Sequence, residues 1–95
     1  MTPNISIITQ IEALSWINAD KEKEAIVKSF INDCNILPLS HEVVEQCIKI
    51  RRSRKIKIPD AILAATAIVY DLSLLTNDRD FNNILNLRVI SLDPM

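Results

Sequence analysis

Four acidic residues, Glu12, Asp60, Asp78 and Asp80, are the side chains of this 95-residue sequence best suited to chemistry. They fall in three separated segments, Ser6-Ile7-Ile8-Thr9-Gln10-Ile11-Glu12, Pro59-Asp60-Ala61-Ile62-Leu63-Ala64-Ala65 and Leu75-Thr76-Asn77-Asp78-Arg79-Asp80-Phe81. Each segment reads as a junction between two elements. In open α/β sheets such junctions converge beyond the strand ends, where ligands bind. A cluster of hard carboxylate oxygens there suits Mg²⁺ or Mn²⁺ and phosphodiester chemistry. Taken singly, each acid also has a structural reading. Glu12 completes the capping box Thr9-x-x-Glu12, Asp60 favours the positive end of a helix dipole, and Asp78 and Asp80 are turn residues. Taken together, carboxylates at three element ends point to a shared site.

A second constellation precedes Asp60. Lys49, Arg51, Arg52, Arg54, Lys55 and Lys57 occupy six of nine consecutive positions. A run of this kind can be a solvated helix face. Lying in sequence beside a candidate metal carboxylate, it can also hold the phosphates of a nucleic acid, with Arg51, Arg52, Arg54, Lys55 and Lys57 as the contacts. His41 stands alone at a helix start and reads as structural. No pairing of Ser, His and Asp or of Cys and His suggests covalent catalysis.

The elements that would position these groups alternate. Ile5-Ser6-Ile7-Ile8 reads as a strand, followed by a helix opened at Thr9. Asp20 to Cys34 reads as a surface helix with Ala25, Ile26, Phe30 and Ile31 on one face. Trp16 and Phe30 are expected in a core or an interface. Ile36-Leu37-Pro38-Leu39 reads as an edge strand, and Ser40 caps a helix carrying Val43, Val44, Cys47, Ile48 and Arg51 at helical spacing. Pro59 suits the first turn of a helix that is apolar nearly all round from Ala61 to Tyr70 and therefore buried. Ser73-Leu74-Leu75-Thr76 and Val89-Ile90-Ser91-Leu92 complete the strands, with Phe81 to Ile84 as a turn between them. Strands alternating with helices imply an α/β fold with a parallel sheet of about four strands, covered on both faces.

Composition narrows the function. The apolar share of 48% and charged share of 24% fit one globular domain spanning residues 1–95. Net charge is −1, so any nucleic-acid footprint is local. The absence of glycine argues against Gly-rich phosphate-cradling loops. Two cysteines without metal spacing read as reduced thiols. With no apolar run near 20 residues and no leader pattern, the expected location is the cytoplasm, away from membranes.

In order, these segments resemble the PIN domains, a family of metal-dependent ribonucleases that includes the VapC-type toxins of toxin-antitoxin modules. The resemblance covers essentially the whole chain and is most specific in the three acidic segments, including Ile58-Pro59-Asp60-Ala61-Ile62-Leu63-Ala64-Ala65-Thr66-Ala67. It implies a three-layer fold with Glu12, Asp60 and Asp78 as catalytic metal ligands. Thr76 supports Asp78, and Asp80 is a further acidic group at the metal. The implied cofactor is Mg²⁺ or Mn²⁺. The implied partners are RNA, a cognate antitoxin and a second copy of the chain. Family members open with a central strand ending in Asp, ahead of the strand near Ile5. This sequence lacks that strand, which implies a weakened metal site and an isolated chain that is inactive or impaired. The alternative is an active ribonuclease completed by a dimer partner or a second polypeptide.

Overall fold

In the computed structural model, which describes residues 2–15 and 20–92, the chain forms two compact units, Met1–Pro38 and Leu39–Met95. Among the described residues are four α-helices and four three-residue strands, all paired in parallel. Trp16 lies outside the described residues. No helix among them is long and apolar enough to cross a membrane.

In the first unit, strand β1 (Asn4–Ser6) pairs in parallel with β2 (Asn35–Leu37), Ile5 opposite Ile36. Asn35 Nδ2 donates to Asn4 Oδ1 at 3.2 Å, and the Asn35 N–H to the Pro3 carbonyl at 2.8 Å, so the pair is held at its open end. Helix α1 (Ile7–Ser15) starts directly after β1. This corrects the expected start at Thr9. Buried Ser6, rather than Thr9, caps the helix, its Oγ accepting the Thr9 N–H at 3.1 Å. A hydroxyl oxygen at the residue before the helix satisfies one of the first-turn amides that have no intrahelical acceptor. The β-branched pair Ile7 and Ile8 is therefore helical, and Glu12 falls in the helix interior instead of closing a capping box. Helix α2 (Lys21–Asn32) is capped by Asp20, whose carboxylate accepts from the Glu22 and Lys23 amides. Of its expected apolar face only Ile31 is buried, while Ile26 and Phe30 stay 69% and 57% exposed.

The second unit holds the larger core. Helix α3 (His41–Ser53) is capped by Ser40, whose Oγ accepts the Val43 N–H at 3.3 Å, and it packs on α4 (Ile58–Val69). Val43, Cys47 and Ile50 of α3 are buried, as are Ala61, Ile62, Ala64, Ala65 and Ala67 of α4. The inward stripe of α3 thus runs through Val43, Cys47 and Ile50, leaving Val44 and Ile48 exposed. Thr66 is the buried polar residue of α4, its hydroxyl donating back to the Ile62 carbonyl at 2.7 Å. Strand β3 (Ser73–Leu75) pairs in parallel with β4 (Arg88–Ile90), Leu74 opposite Val89. Between them a single 3₁₀ turn, Arg79–Phe81, buries Phe81.

A chain without glycine must close its helices and turns with other residues. Asp71, Asn83 and Asn86 take positive φ of 55°, 66° and 70°. Short polar side chains tolerate this region better than others do. At the end of α4, Asp71 sits in the left-handed position of a two-bond cap, with the Leu72 N–H on the Ala67 carbonyl at 2.8 Å and its own N–H on that of Ile68 at 3.2 Å. Arg88 of β4 then grips Asp71, donating to its carbonyl at 2.8 Å and its carboxylate at 3.1 Å. This ties the helix end to the neighbouring strand.

The two cysteines differ in environment. Cys34 is half-buried and Cys47 buried, and burial pushes the Cys47 thiol up from its ordinary range, with the Arg51 charge partly opposing the shift. Since the thiolate is the reactive form, iodoacetamide at pH 8 should label Cys34 well before Cys47 in the folded protein, and both alike in denaturant. The same shift makes folding less favourable as pH rises beyond the unfolded thiol's ordinary pKa toward the higher folded value. Equal labelling rates in the folded state would show that α3 does not bury Cys47.

Candidate metal centre

Asp60, Asp78 and Asp80, three of the four acids singled out in the sequence, come together in the second unit. One carboxylate oxygen from each lies within 4.8 Å of the others. Two elements supply them. Asp60 is the third residue of α4, following Ile58 and Pro59. Pro59 fits the first turn because its missing N–H would have had no intrahelical acceptor anyway. Lys57 occupies the cap position and makes no side-chain cap bond. Asp60 therefore lies in a first turn whose N–H groups carry the positive end of the helix dipole. It is half-buried, whereas Asp78 and Asp80 are exposed.

The loop after β3 places the other two. The Thr76 N–H donates to the Ile90 carbonyl of β4 at 3.0 Å, extending the strand pairing by one residue. Thr76 Oγ1 in turn accepts the Asp78 N–H at 3.1 Å, and Asp78 Oδ1 accepts the Asp80 N–H at 2.9 Å, capping the 3₁₀ turn. These successive side-chain-to-backbone bonds fix the course of residues 76–80 without regular secondary structure. Two further clamps were not anticipated. Asn77 Oδ1 accepts from the Leu92 N–H at 2.6 Å and from the Ser91 hydroxyl at 2.8 Å, holding the loop against the chain that leaves β4. Arg54, just past α3, sends Nη1 to the Asn82 carbonyl at 2.8 Å and Nη2 to the Asp80 carbonyl at 3.0 Å. An Asn preceding two acids in a post-strand turn was the available signal for the first. Nothing in the basic run distinguished Arg54 from its neighbours.

The other expected residues fall as follows. Arg51 turns its Nε to the Ile56 carbonyl at 3.2 Å, so it also braces the connection between α3 and α4. Arg51, Arg52, Lys55 and Lys57 are exposed, and Arg54 is half-buried. Glu12 lies on the exposed side of α1 in the first unit.

The donor set suits a hard divalent cation. Magnesium holds oxygens at about 2.1 Å in an octahedron, so two ligands on one ion stand about 3 Å apart at adjacent positions and about 4.2 Å apart at opposite ones. Oxygens within 4.8 Å reach that spacing through small side-chain rotations or through a bridging water. One carboxylate oxygen of Asp78 is engaged in capping, and the ligand count is low. Magnesium sites commonly have this character, with one or two carboxylates, several waters and substrate phosphates.

Comparison with known proteins gives this geometry a context. No curated protein sequence matches the chain. Among solved structures, a toxin-antitoxin complex from Klebsiella pneumoniae contains a chain 31% identical, with a TM-score of 0.78 over 92% of this chain and 71% of that one. VapBC2 from Rickettsia felis, bound to a DNA fragment from its promoter, matches at a TM-score of 0.81 and 23% identity, over 97% of this chain and 76% of that one. DNA-bound VapBC from Salmonella typhimurium matches at 0.81 and 24%, over 93% and 74%. The sequence profile of the PIN domain matches residues 3–86, and with α/β topology, short parallel strands and acidic junctions already in place, the chain belongs to the PIN domain family.

Proposed function

We propose that this protein carries a metal-dependent phosphodiester-cleaving site of the VapC type, with RNA as its substrate and Asp60, Asp78 and Asp80 as the acids that hold Mg²⁺ or Mn²⁺. The supporting observation is that two separate elements bring three carboxylate oxygens within 4.8 Å of one another on a loop pinned by Thr76, Asn77 and Arg54. When bound, the cation supplies an activated water and neutralises charge developing on the phosphate. Asp78 and Asp80 sit on backbone held by bonds that do not depend on the ion, so the loop is fixed before a cation binds. Arg52, Lys55 and Lys57, exposed and without an ion pair among the described residues, are the cations best suited to the phosphates of the strand. Thr76 keeps its part by fixing the Asp78 amide. Glu12 is assigned to the same chemistry by the family resemblance alone.

A second reading has its own observation. Among the described residues, each sheet contains two three-residue strands. Parallel pairs are ordinarily covered and flanked by further strands, and an isolated pair is weak. Each sheet therefore offers an edge to which a strand of another polypeptide can add. On this reading the 95-residue chain cuts poorly by itself and is completed by a second copy or another protein. The toxin-antitoxin complexes among its structural relatives favour a cognate antitoxin as one partner. Exposed Ile26 and Phe30 on α2, and Val44 and Ile48 on α3, are apolar surface that such partners would cover. Sedimentation at micromolar concentration should show dimers or larger species, and a strictly monomeric boundary would remove self-association.

The metal assignment is tested by titrating Mn²⁺ calorimetrically. Asp60→Asn should lower affinity at least tenfold and abolish any Mn²⁺-dependent RNA cleavage while leaving the melting curve near that of the parent, because an amide is tolerated in a first helical turn. Glu12→Gln, measured alongside, shows whether Glu12 contributes. Undiminished Mn²⁺ affinity in Asp60→Asn would remove the metal centre from the proposal.

The loop clamp makes a separate prediction. Arg54→Ala leaves the Asp80 and Asn82 carbonyls without their charged donor and should destabilise the protein by about 1–2 kcal/mol. Part of that loss should be recovered in saturating Mn²⁺, since a ligand that binds only the folded state adds stability. An unchanged melting temperature in Arg54→Ala would show that the guanidinium does not hold the loop.

A further inference from the structure

A cavity of about 510 Å³ lies in the second unit between α3 and the loop that follows the 3₁₀ turn. Its floor is apolar, made by buried Ile50 and Ile84. Its rim carries three amides, Gln46 from α3 and Asn83 and Asn86 from the loop. Lys49 adds a positive charge, and among the described residues no carboxylate lines the space. Leu85, at 82% exposure, stands at the mouth with its side chain almost wholly in water. Arg54 forms part of the wall while its guanidinium grips the Asp80 and Asn82 carbonyls, so one side chain belongs both to the cavity and to the loop carrying the acids.

These features suit one class of ligand. Side-chain amides present donor and acceptor together, which is what reading a base edge requires. An exposed aliphatic side chain beside an apolar floor offers a surface for the flat face of a base. A lysine without a competing carboxylate in the cavity offers a phosphate contact. The volume is within the roughly 300–1,000 Å³ usual for small-molecule sites and is ample for a single nucleobase. The loop conformation contributes as well. Positive φ at Asn83 and Asn86 turns the chain at both positions while keeping a side chain that glycine would lack.

We propose that this cavity is a nucleobase subsite for single-stranded RNA, reading one base through Gln46, Asn83 and Asn86 while Lys49 holds an adjacent phosphate. The inference rests on the reading of this protein as an RNA-cleaving one and adds a source of sequence preference. Arg54 couples the subsite to the acidic loop, because a base seated against it bears on the backbone that positions Asp80.

Fluorescence anisotropy with labelled hexamers of uridine, adenosine and cytidine, in EDTA so that neither metal nor cleavage enters, tests the proposal on the full chain. The wild type should prefer one hexamer by at least about fivefold, the lower end of what one well-made amide–base pair contributes. The triple variant Gln46→Ala, Asn83→Gly, Asn86→Gly keeps the positive φ accessible and should bring the three affinities to within about twofold of each other. Lys49→Ala should instead weaken all three alike and reduce the salt slope by about one phosphate contact. Equal wild-type affinities, no binding of any hexamer, or a preference that survives in the triple variant would each overturn the subsite. An unaltered Mn²⁺ affinity in Asp60→Asn would instead defeat the metal-centre reading and leave the hexamer result standing, so the two failures are distinguishable.

Discussion

Small side chains on one helix set the geometry of the second unit. Ala61, Ala64, Ala65 and Ala67 of α4 are buried, as are Val43, Cys47 and Ile50 of α3, and the two helices pack on each other. Alanine at a helix interface lets backbones approach closely and adds no rotamer entropy cost of its own. That contact holds α4, and with it Asp60 in its first turn, against α3. It likewise holds the end of α3, from which Arg54 reaches the Asp80 and Asn82 carbonyls. A larger residue at Ala64 or Ala65, both fully buried, would force the helices apart and carry both ends of the site with them.

The absence of glycine shapes the remainder. Positions that demand a left-handed backbone fall to Asp71, Asn83 and Asn86, each of which brings a hydrogen-bonding side chain that glycine would not. Asp71 uses its group at once, as the partner of Arg88 across the start of the β3–β4 pair. That ion pair is exposed and on its own stabilises little. Its value is geometric, since the same guanidinium also takes the Asp71 carbonyl and so fixes the α4 terminus to the strand at two points.

Much of this was legible in the sequence. The buried helix with Pro59 in its first turn, the Ser40 cap and the apolar strand segments appear in the structure within a residue or two at their ends, and the strands pair in parallel as expected, but as two two-stranded sheets rather than one of about four. Where the reading failed, a local rule met a competitor it could not see. Ile7 and Ile8 look like strand residues because they are β-branched, but the Ser6 hydroxyl caps the chain there and helix follows immediately. Ile26 and Phe30 have the spacing of a core face, and only the pairing of actual elements decides which face is covered. Arg54 is one cation among six by sequence. Its role as a clamp depends on carbonyls 26 and 28 residues away, which no local pattern announces.

The acids themselves show why structural and functional readings of one residue need not compete. Asp78 caps a 3₁₀ turn, and Asp60 occupies a first-turn position favourable to a carboxylate whether or not a cation is near. Clustering three such groups within 4.8 Å brings like charges together, and in the absence of a cation that arrangement is unfavourable. The capping bond at Asp78 and the helix terminus at Asp60 each favour a carboxylate independently of the cluster. On the proposed reading, a cation arriving at such a cluster needs only small side-chain adjustments to draw the oxygens together, and it removes the residual repulsion among them. The turn chemistry that makes each acid ordinary by itself also fixes the loop that carries two of them, so in the proposed site the bonds from Thr76, Asn77 and Arg54 to that loop matter as much as the carboxylates.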